Sequence, residues 1–304
     1  MHDSTRPYRG RFAPSPTGPL HFGSLVAAVG SYLEARWNRG KWLVRMEDLD
    51  RQREVRGASE AILRTLEAYG FEWDGKVVFQ SRRDAAYGAA LKRLEHEHAV
   101  FPCACTRQEI SDSTLAVAIE RIYPGTCRRG PAPGRPARAM RVRVDDAVIT
   151  FEDLLQGRIE QDLAREVGDF VVRRADGLFA YQLAVVVDDF EQNITDVVRG
   201  ADLLASTPRQ ILLQRLLGHP TPRYMHLPVA VNQYGEKLSK QTRAAPLTIM
   251  EAPVRLWQAL RLLGQEPPAE LAAGRVVDTW NWALANWRTE RIPTRRSIRE
   301  GEAG

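Results

Sequence analysis

A turn rich in proline and glycine separates a predicted first strand, Arg9–Ala13, from a predicted first helix, Leu25–Arg39. Residues 11–24 read RFAPSPTGPLHFGS, with three prolines and two glycines. A tight turn that leads into a helix exposes the first backbone N–H groups and the positive end of the helix dipole, which together bind anions. His21 lies at this position and can donate to a phosphate oxygen, and Gly23, which lacks a Cβ, lets a flat ring lie against the backbone. The turn therefore predicts a phosphate site, although similar turns precede many helices.

Strands and helices alternate through the first hundred residues. The pattern predicts a strand at Lys41–Met46, a helix at Ala58–Tyr69 closed by Gly70, a short strand at Val77–Gln80 and a helix at Asp84–His96. This alternation is typical of a parallel, doubly wound sheet, in which ligands bind beyond the carboxyl ends of the strands. The proline-glycine turn and the loop that contains Glu47 both fall at that edge.

The alternation stops between Phe101 and Arg199, and we interpret this stretch as an insertion. Strands are predicted within it at Met140–Val144, Asp169–Arg174 and Phe179–Val187, followed by a helix at Asp202–Leu217, a strand at Met225–Val231 and a helical region from Pro246 onward. We therefore expect residues 1–100 and 200–245 to form the two halves of the sheet domain, residues 101–199 the insertion, and residues 246–304 a short helical C-terminal region.

A second phosphate-binding element is predicted at Gly235–Gln241. Its sequence, GEKLSKQ, places Lys237, Ser239 and Lys240 on one loop. Two ammonium groups and a hydroxyl are suitable donors for a polyphosphate. Taken alone, the loop is equally consistent with solvent-exposed charge.

The two elements together resemble the signature pair of the class I aminoacyl-tRNA synthetases, and residues 11–18 with Met46–Asp50 resemble the glutamyl branch of that family. The chain departs from the general pattern at Ser24, where histidine is usual, and at Gln241. The resemblance implies a Rossmann-type catalytic domain that forms an aminoacyl-adenylate from ATP with Mg²⁺. It assigns catalysis to His21 and Lys240, and ATP binding to His21, Gly23, Ser24, Lys237, Ser239 and Lys240.

Four further residues suit an amino dicarboxylate such as L-glutamate. Its two carboxylates need cationic partners, which Arg11 and Arg199 supply, and its ammonium needs an anion or a phenol, which Glu47 and Tyr181 supply. By composition alone these charges would form surface ion pairs. The resemblance places all four in the glutamate site together with Ala13 and Ser15, and it leaves open which arginine binds which carboxylate.

Three cysteines in the insertion suggest a structural zinc site. Cys103, Cys105 and Cys127 are three candidate thiolates, and His96 or His98 is the conventional fourth ligand by chemistry. The resemblance points instead to Tyr123 as the fourth ligand, and it implies an inserted zinc-containing α+β subdomain. The alternative is three unbonded thiols.

Two other groups of residues are interpreted as structural. Asp48, Asp50, Asp188 and Asp189 are expected to form ion pairs rather than to act as paired general acids. Trp280, Trp282 and Trp287 are expected to pack in the core with Leu284.

Composition limits the class of protein. The 304 residues carry a net charge of +5, which permits a nucleic-acid partner. The longest apolar run, Leu183–Val187, is too short to cross a membrane. The odd cysteine count, without a disulfide-type spacing, favours a reducing cytoplasm. We expect a cytoplasmic monomer that makes no membrane contact.

The chain continues for about sixty residues after the lysine loop, and we expect no anticodon-binding domain there. The resemblance is therefore closest to the truncated paralogues of glutamyl-tRNA synthetase. It implies that glutamate is activated without tRNA and transferred to queuosine at the wobble position of tRNA(Asp). Three alternatives stay open: a short synthetase charging the 3′ end of tRNA(Glu), a catalytically silent tRNA-binding paralogue, and a nucleotidyltransferase of the same superfamily.

Overall fold

Three parallel strands form the first half of the central sheet. The structure, a computed structural model, describes residues 6–106, 108–110, 122–232, 234–235 and 245–299. Strands β1 (Arg9–Phe12), β2 (Lys41–Met46) and β3 (Val78–Phe79) pair in that order, all parallel. The strand predicted at Lys41–Met46 is confirmed to the residue, and the other two are confirmed within two residues.

The inserted region carries a three-stranded antiparallel sheet and a hairpin. Strands β4 (Val100–Cys103), β5 (Ala139–Val142) and β8 (Val171–Arg173) form the sheet. Strands β6 (Val148–Asp153) and β7 (Gly157–Asp162) form the hairpin, which the sequence patterns did not predict.

The second half of the central sheet begins beside β1. Strand β9 (Asp196–Gly200) lies next to β1, where the backbone N–H of Thr195 donates to the carbonyl of Arg9 at 3.0 Å. Strand β10 (Arg223–Leu227) is parallel to β9 and, on its other edge, to β6. The strand order therefore reverses between β1 and β9, which is where ligands bind in sheets of this kind.

Helices cover both faces of this sheet. The α-helices with both ends in the described part of the chain are α1 (Phe22–Trp37), α2 (Ala58–Ala68), α3 (Asp84–His96), α4 (Leu163–Glu166), α5 (Tyr181–Glu191), α6 (Thr207–Leu216), α7 (Ala252–Leu262) and α8 (Val276–Asn286). Short 3₁₀ helices lie at Gln80–Arg82, Ala201–Ser206, Ile249–Glu251, Ala269–Ala273 and Thr289–Arg291. Along β2, Trp42 and Val44 join the apolar core under α1, whereas Leu43 joins the core under α3 and α5. Because successive strand residues point to opposite faces, the sheet is covered on both sides, as the doubly wound pattern predicts.

One predicted strand, Phe179–Val187, is wrong. The chain forms α5 from Tyr181 to Glu191 instead, and Leu183 through Asp189 are all buried. A helix that is buried all round has no polar stripe, so a short apolar run cannot be distinguished from a buried strand by its periodicity.

Two predicted elements are divided in the structure. The helix predicted at Asp202–Leu217 begins as a 3₁₀ helix and becomes α-helical only at Thr207. The strand predicted at Met225–Val231 is interrupted at Pro228, after which β11 (Val229–Val231) pairs with β12 (Ser297–Arg299). Proline has no N–H to donate to a sheet, which accounts for the interruption.

The C-terminal helices pack against α1. Trp280 and Trp287 are buried in the core as predicted, and Trp282 is half-buried. The prediction for Leu284 is wrong, since 39% of this residue is exposed on the outer side of α8. Within the described ranges, no helix has the length and apolar character required to cross a bilayer.

Glu34 fixes the C-terminal segment to α1. Its Oε1 accepts hydrogen bonds from Trp287 Nε1 at 2.8 Å and from the hydroxyl of Thr289, and the residue is buried.

Replacing Glu34→Ala removes the acceptor from a buried indole, and we expect the free energy of unfolding to fall by about 1–3 kcal/mol in a urea titration. Glu34→Gln keeps an acceptor oxygen in place, and its stability should stay close to that of the parent protein. Equal losses in both variants would show that these two hydrogen bonds do not hold the segment.

Candidate active site

A cleft of about 440 Å³ opens at the reversal of strand order, beyond the carboxyl ends of β1 and β9. Nine of the predicted site residues line it: Arg11, Ala13, Ser15, His21, Gly23, Ser24, Glu47, Tyr181 and Arg199. The sequence patterns did not indicate Asp202, Leu203 or Val229, which also line the cleft and lie on elements that follow β9 and β10. The remaining predicted ATP-binding residues, Lys237, Ser239 and Lys240, lie outside the described part of the chain.

His21 forms the N-cap of α1. Its Nδ1 accepts a hydrogen bond from the backbone N–H of Ser24 at 3.3 Å, and its ring lines the cleft. The side chain therefore closes the first turn of the helix and lies beside the helix N-terminus, where backbone N–H groups and the dipole favour an anion.

Arg11 is held by a buried network of ion pairs. Its Nε donates to Asp189 Oδ1 at 3.2 Å, and the same oxygen accepts from Arg45 Nη1 at 2.7 Å. Burial opposes ionisation of Asp189, but the two guanidinium groups outweigh it and lower the pKa of this carboxyl. Arg45 has no exposed surface and also pairs with Glu47 at 3.2 Å and with Asp188 at 3.8 Å. The prediction that Asp188 and Asp189 form ion pairs is confirmed.

The other two predicted aspartates are structural as well, although Asp48 forms hydrogen bonds instead of the predicted ion pair. Asp48 accepts hydrogen bonds from the backbone N–H of Ser81 at 2.8 Å and from its hydroxyl at 2.7 Å. Asp50 pairs with Arg174 at 3.0 Å, and this hydrogen bond lowers the pKa of the Asp50 carboxyl. Both residues therefore fix the loop that follows Glu47.

Glu47 and Tyr181 form the electronegative side of the cleft. Burial raises the pKa of Glu47, although Arg45 and Arg11 act in the opposite direction. Burial, and then the charge of Glu47, raise the pKa of Tyr181. A buried carboxyl whose pKa stays above its ordinary value is short of positive charge, and an ammonium group in the cleft would supply it.

Arg199 differs from Arg11 and Arg45, the other two buried arginines around the cleft, in its partners. Its Nε donates to His226 Nε2 at 3.1 Å, and its Nη2 donates to Thr207 Oγ1 and Gln210 Oε1, both at 2.8 Å. Its Nη1 is buried and has no hydrogen-bond partner. No carboxylate of the described residues forms a salt bridge with Arg199, so its charge is available to an anionic ligand.

Three thiols and a phenol come together in the insertion. The Sγ atoms of Cys103, Cys105 and Cys127 lie within 4.8 Å of one another. The hydroxyl of Tyr123 lies 3.4 Å from Cys103 Sγ and 3.6 Å from Cys105 Sγ. His96 and His98 do not belong to this cluster, and the His96 side chain is 86% exposed.

These four side chains lie close enough together to bind one metal ion. Zn–S bonds of about 2.3 Å place neighbouring ligand atoms about 3.8 Å apart, and Cys105 Sγ and Cys127 Sγ are 3.5 Å apart. Burial and hydrogen bonding raise the pKa of Tyr123, whereas neighbouring hydrogen-bond donors lower that of Cys127 against the effect of burial. A divalent cation would favour the ionised forms of all four.

The strand order, the helix-capped turn and the cleft agree with the class I aminoacyl-tRNA synthetase catalytic domain that the sequence motifs predict. The chain belongs to the glutamate and glutamine branch of that class, because the family model for "tRNA synthetases class I (E and Q), catalytic domain" matches residues 8–266.

Relatives at high sequence identity agree with this assignment. The chain is 61% identical to the glutamyl-Q tRNA(Asp) synthetase of Dechloromonas aromatica, over 96% of this chain and 98% of that protein. It is 59% identical to the protein of the same name from Aromatoleum aromaticum, over 96% and 93% of the two chains. The glutamate-tRNA synthetase of Elizabethkingia anophelis has the same fold, with a TM-score of 0.80 at 22% identity over 98% of this chain and 69% of that one.

Removing the shared cation from the buried network should destabilise the fold. In Arg45→Met, the carboxylates of Glu47, Asp188 and Asp189 lose their common partner while they stay buried. We expect the free energy of unfolding to fall by about 3–5 kcal/mol, measured by denaturant titration. Arg275→Met breaks a pair on the protein surface and is the matched control, for which we expect an unchanged midpoint. A stable Arg45→Met variant would contradict the structural role of the network.

Proposed function

We propose that this protein activates L-glutamate with ATP in the absence of tRNA and transfers it to the queuosine at the wobble position of tRNA(Asp). In the first step a glutamate carboxylate oxygen attacks the α-phosphorus of ATP and pyrophosphate leaves. In the second, a hydroxyl of the queuosine cyclopentenediol attacks the glutamyl carbonyl and AMP leaves. The name shared by relatives at 53–61% identity, which the chain matches over most of their length, supports this acceptor.

The unpaired charge of Arg199 is the observation that carries the choice of substrate. A buried guanidinium without a carboxylate partner is costly, and a substrate carboxylate would relieve that cost. Arg11, by contrast, already shares Asp189 with Arg45. We assign the side-chain carboxylate of glutamate to Arg199, the α-carboxylate to the terminal nitrogens of Arg11, and the ammonium to Glu47 and Tyr181, with Ala13 and Ser15 lining the same pocket.

ATP is proposed to bind along the start of α1. Transfer to the α-phosphorus needs no protein nucleophile, only alignment and compensation of developing charge. We assign this to His21, Gly23 and Ser24 at the helix N-terminus. Lys237, Ser239 and Lys240, together with Mg²⁺, are proposed to hold the leaving pyrophosphate, as the family resemblance implies.

Zinc is proposed as a structural ion bound by Cys103, Cys105, Tyr123 and Cys127. It would fix the inserted α+β subdomain and take no part in adenylation. Arg141 lies beside the cluster, with its guanidinium 4.0 Å from the centre of the Tyr123 ring and its Nε donating to Cys103 Sγ. A neighbouring cation of this kind favours anionic ligands. We also propose a division of the chain into domains. Residues 1–100 and 200–245 form the catalytic domain, residues 101–199 the insertion, and residues 246–304 the C-terminal region.

Pyrophosphate exchange without tRNA tests the activation step. We expect exchange with L-glutamate and little with L-glutamine, because an amide leaves a buried guanidinium unpaired at a cost of about 2–5 kcal/mol. Arg199→Gln should lose exchange with glutamate by about 10²-fold or more, whereas Arg158→Gln, a control on the exposed hairpin, should keep it. Equal exchange with both amino acids would overturn the substrate assignment.

Transfer of radiolabelled glutamate tests the acceptor. We expect transfer to tRNA(Asp) that carries queuosine, and none to tRNA(Asp) from cells that lack queuosine. Removal of the 3′-terminal adenosine should leave transfer intact, because the proposed acceptor is in the anticodon loop. Transfer that requires the 3′ end of tRNA(Glu) would identify a short conventional synthetase, and absence of any transfer with intact exchange would also contradict the proposed acceptor.

Elemental analysis tests the metal. Protein purified without chelator should contain about one zinc per chain, and Cys127→Ser should reduce both zinc content and thermal stability. Cys127 is chosen because it is buried and can be replaced by a residue of similar size. If the purified protein contains no metal, and Cys127→Ser is as stable as the parent protein, the three thiols are unbonded and the zinc proposal is wrong.

A further inference from the structure

We propose that Asp153 and His226 are positioning residues that hold the Arg199 guanidinium in place for the substrate carboxylate. The inference rests on the proposed function, since it concerns how the glutamate site is built. The three residues lie in a row across neighbouring strands. Asp153 ends β6, His226 lies in β10 and Arg199 lies in β9, directly opposite His226 in the register of the sheet. All three are buried.

The hydrogen bonds in this row determine the histidine tautomer. Arg199 Nε–H can only donate, and it points at His226 Nε2 at 3.1 Å, so Nε2 must be the unprotonated nitrogen. The proton is therefore on Nδ1, which donates to Asp153 Oδ2 at 2.5 Å. Asp153 selects the tautomer that presents a lone pair to Arg199.

Asp153 is itself fixed by the turn of the β6–β7 hairpin. Its Oδ1 accepts from the backbone N–H groups of Leu155 at 3.1 Å, Gln156 at 2.9 Å and His226 at 3.2 Å. The hairpin of the insertion is therefore connected to the cleft through His226 and Arg199. His226 lies between Asp153 and Arg199 in the sheet, and Asp153 does not line the cleft.

A neutral acceptor at this position preserves the charge of Arg199. The groups that face His226 are Asp153, Arg199, Thr207 and the stacked ring of Tyr224, which lies 6.1 Å away between ring centroids. Burial and the charge of Arg199 lower the pKa of His226 although Asp153 acts to raise it, so the imidazole stays neutral. A carboxylate in direct contact with Arg199 would compete with the substrate, whereas a neutral imidazole orients the guanidinium and leaves its charge for the ligand.

Asp153→Asn tests the tautomer directly. In this variant the amide oxygen at position 153 keeps the three backbone hydrogen bonds that Asp153 Oδ1 accepts. The amide NH₂ then faces His226 Nδ1. The ring must then carry its proton on Nε2, so that two N–H donors face each other and Arg199 is displaced. We expect the KM for glutamate in pyrophosphate exchange to rise by about 10–100-fold, with the KM for ATP nearly unchanged and poorer discrimination against glutamine.

Two further variants separate positioning from folding. Asp196→Asn removes a buried carboxylate that pairs with Arg223 at the opposite end of β9. It controls for a general loss of stability and should leave the KM for glutamate unchanged. In the double variant Asp153→Asn/His226→Gln, the glutamine oxygen can accept from Arg199 whatever residue occupies position 153, so the KM for glutamate should recover in part.

A measurement without substrate completes the test. ¹⁵N NMR of the imidazole should report protonation at Nδ1 in the parent protein and at Nε2 in Asp153→Asn. An unchanged tautomer, or a changed tautomer with an unchanged KM for glutamate, would overturn the inference. Failure of the parent protein to exchange with glutamate would instead contradict the proposed function, while the NMR result would still report whether Asp153 sets the tautomer.

Discussion

The charge of Arg45, enclosed between β2 and α5, fixes the floor of the cleft. Burying a guanidinium has a large desolvation cost, which ion pairs with Glu47, Asp188 and Asp189 offset here. Because Asp189 also accepts from Arg11, one cation determines the positions of both an arginine and a carboxylate in the site. The candidate site therefore depends on a side chain that never reaches solvent.

Arg199, which also lines the cleft, is held by uncharged partners instead of carboxylates. Its partners are an imidazole, a hydroxyl and an amide, all uncharged, so the guanidinium is oriented without being neutralised. The two arrangements give the cleft distinct regions, an electronegative side at Glu47 and Tyr181 and a region of uncompensated positive charge at Arg199. An amino acid with two carboxylates complements both.

Local patterns predicted much of this architecture, and their failures have physical causes. The turn of residues 11–24, β2 and α3 carry strong local signals, and nine of the predicted site residues line one cleft. The helix α5 was mistaken for a strand because its burial leaves no periodicity to detect. Asp153 and His226 carried no such signal, because they are far from Arg199 in sequence and come next to it only when β6 and β9 flank β10. No short stretch of the sequence encodes a long-range strand pairing of this kind.

The central claim is that an uncompensated buried guanidinium selects a carboxylate ligand, and equilibrium binding tests it most directly. Calorimetric titration with L-glutamate and L-glutamine, without ATP or tRNA, isolates recognition from chemistry. An unpaired buried charge costs about 2–5 kcal/mol, so glutamate should bind about 30-fold or more tightly than glutamine. Equal affinities for the two amino acids would contradict the account.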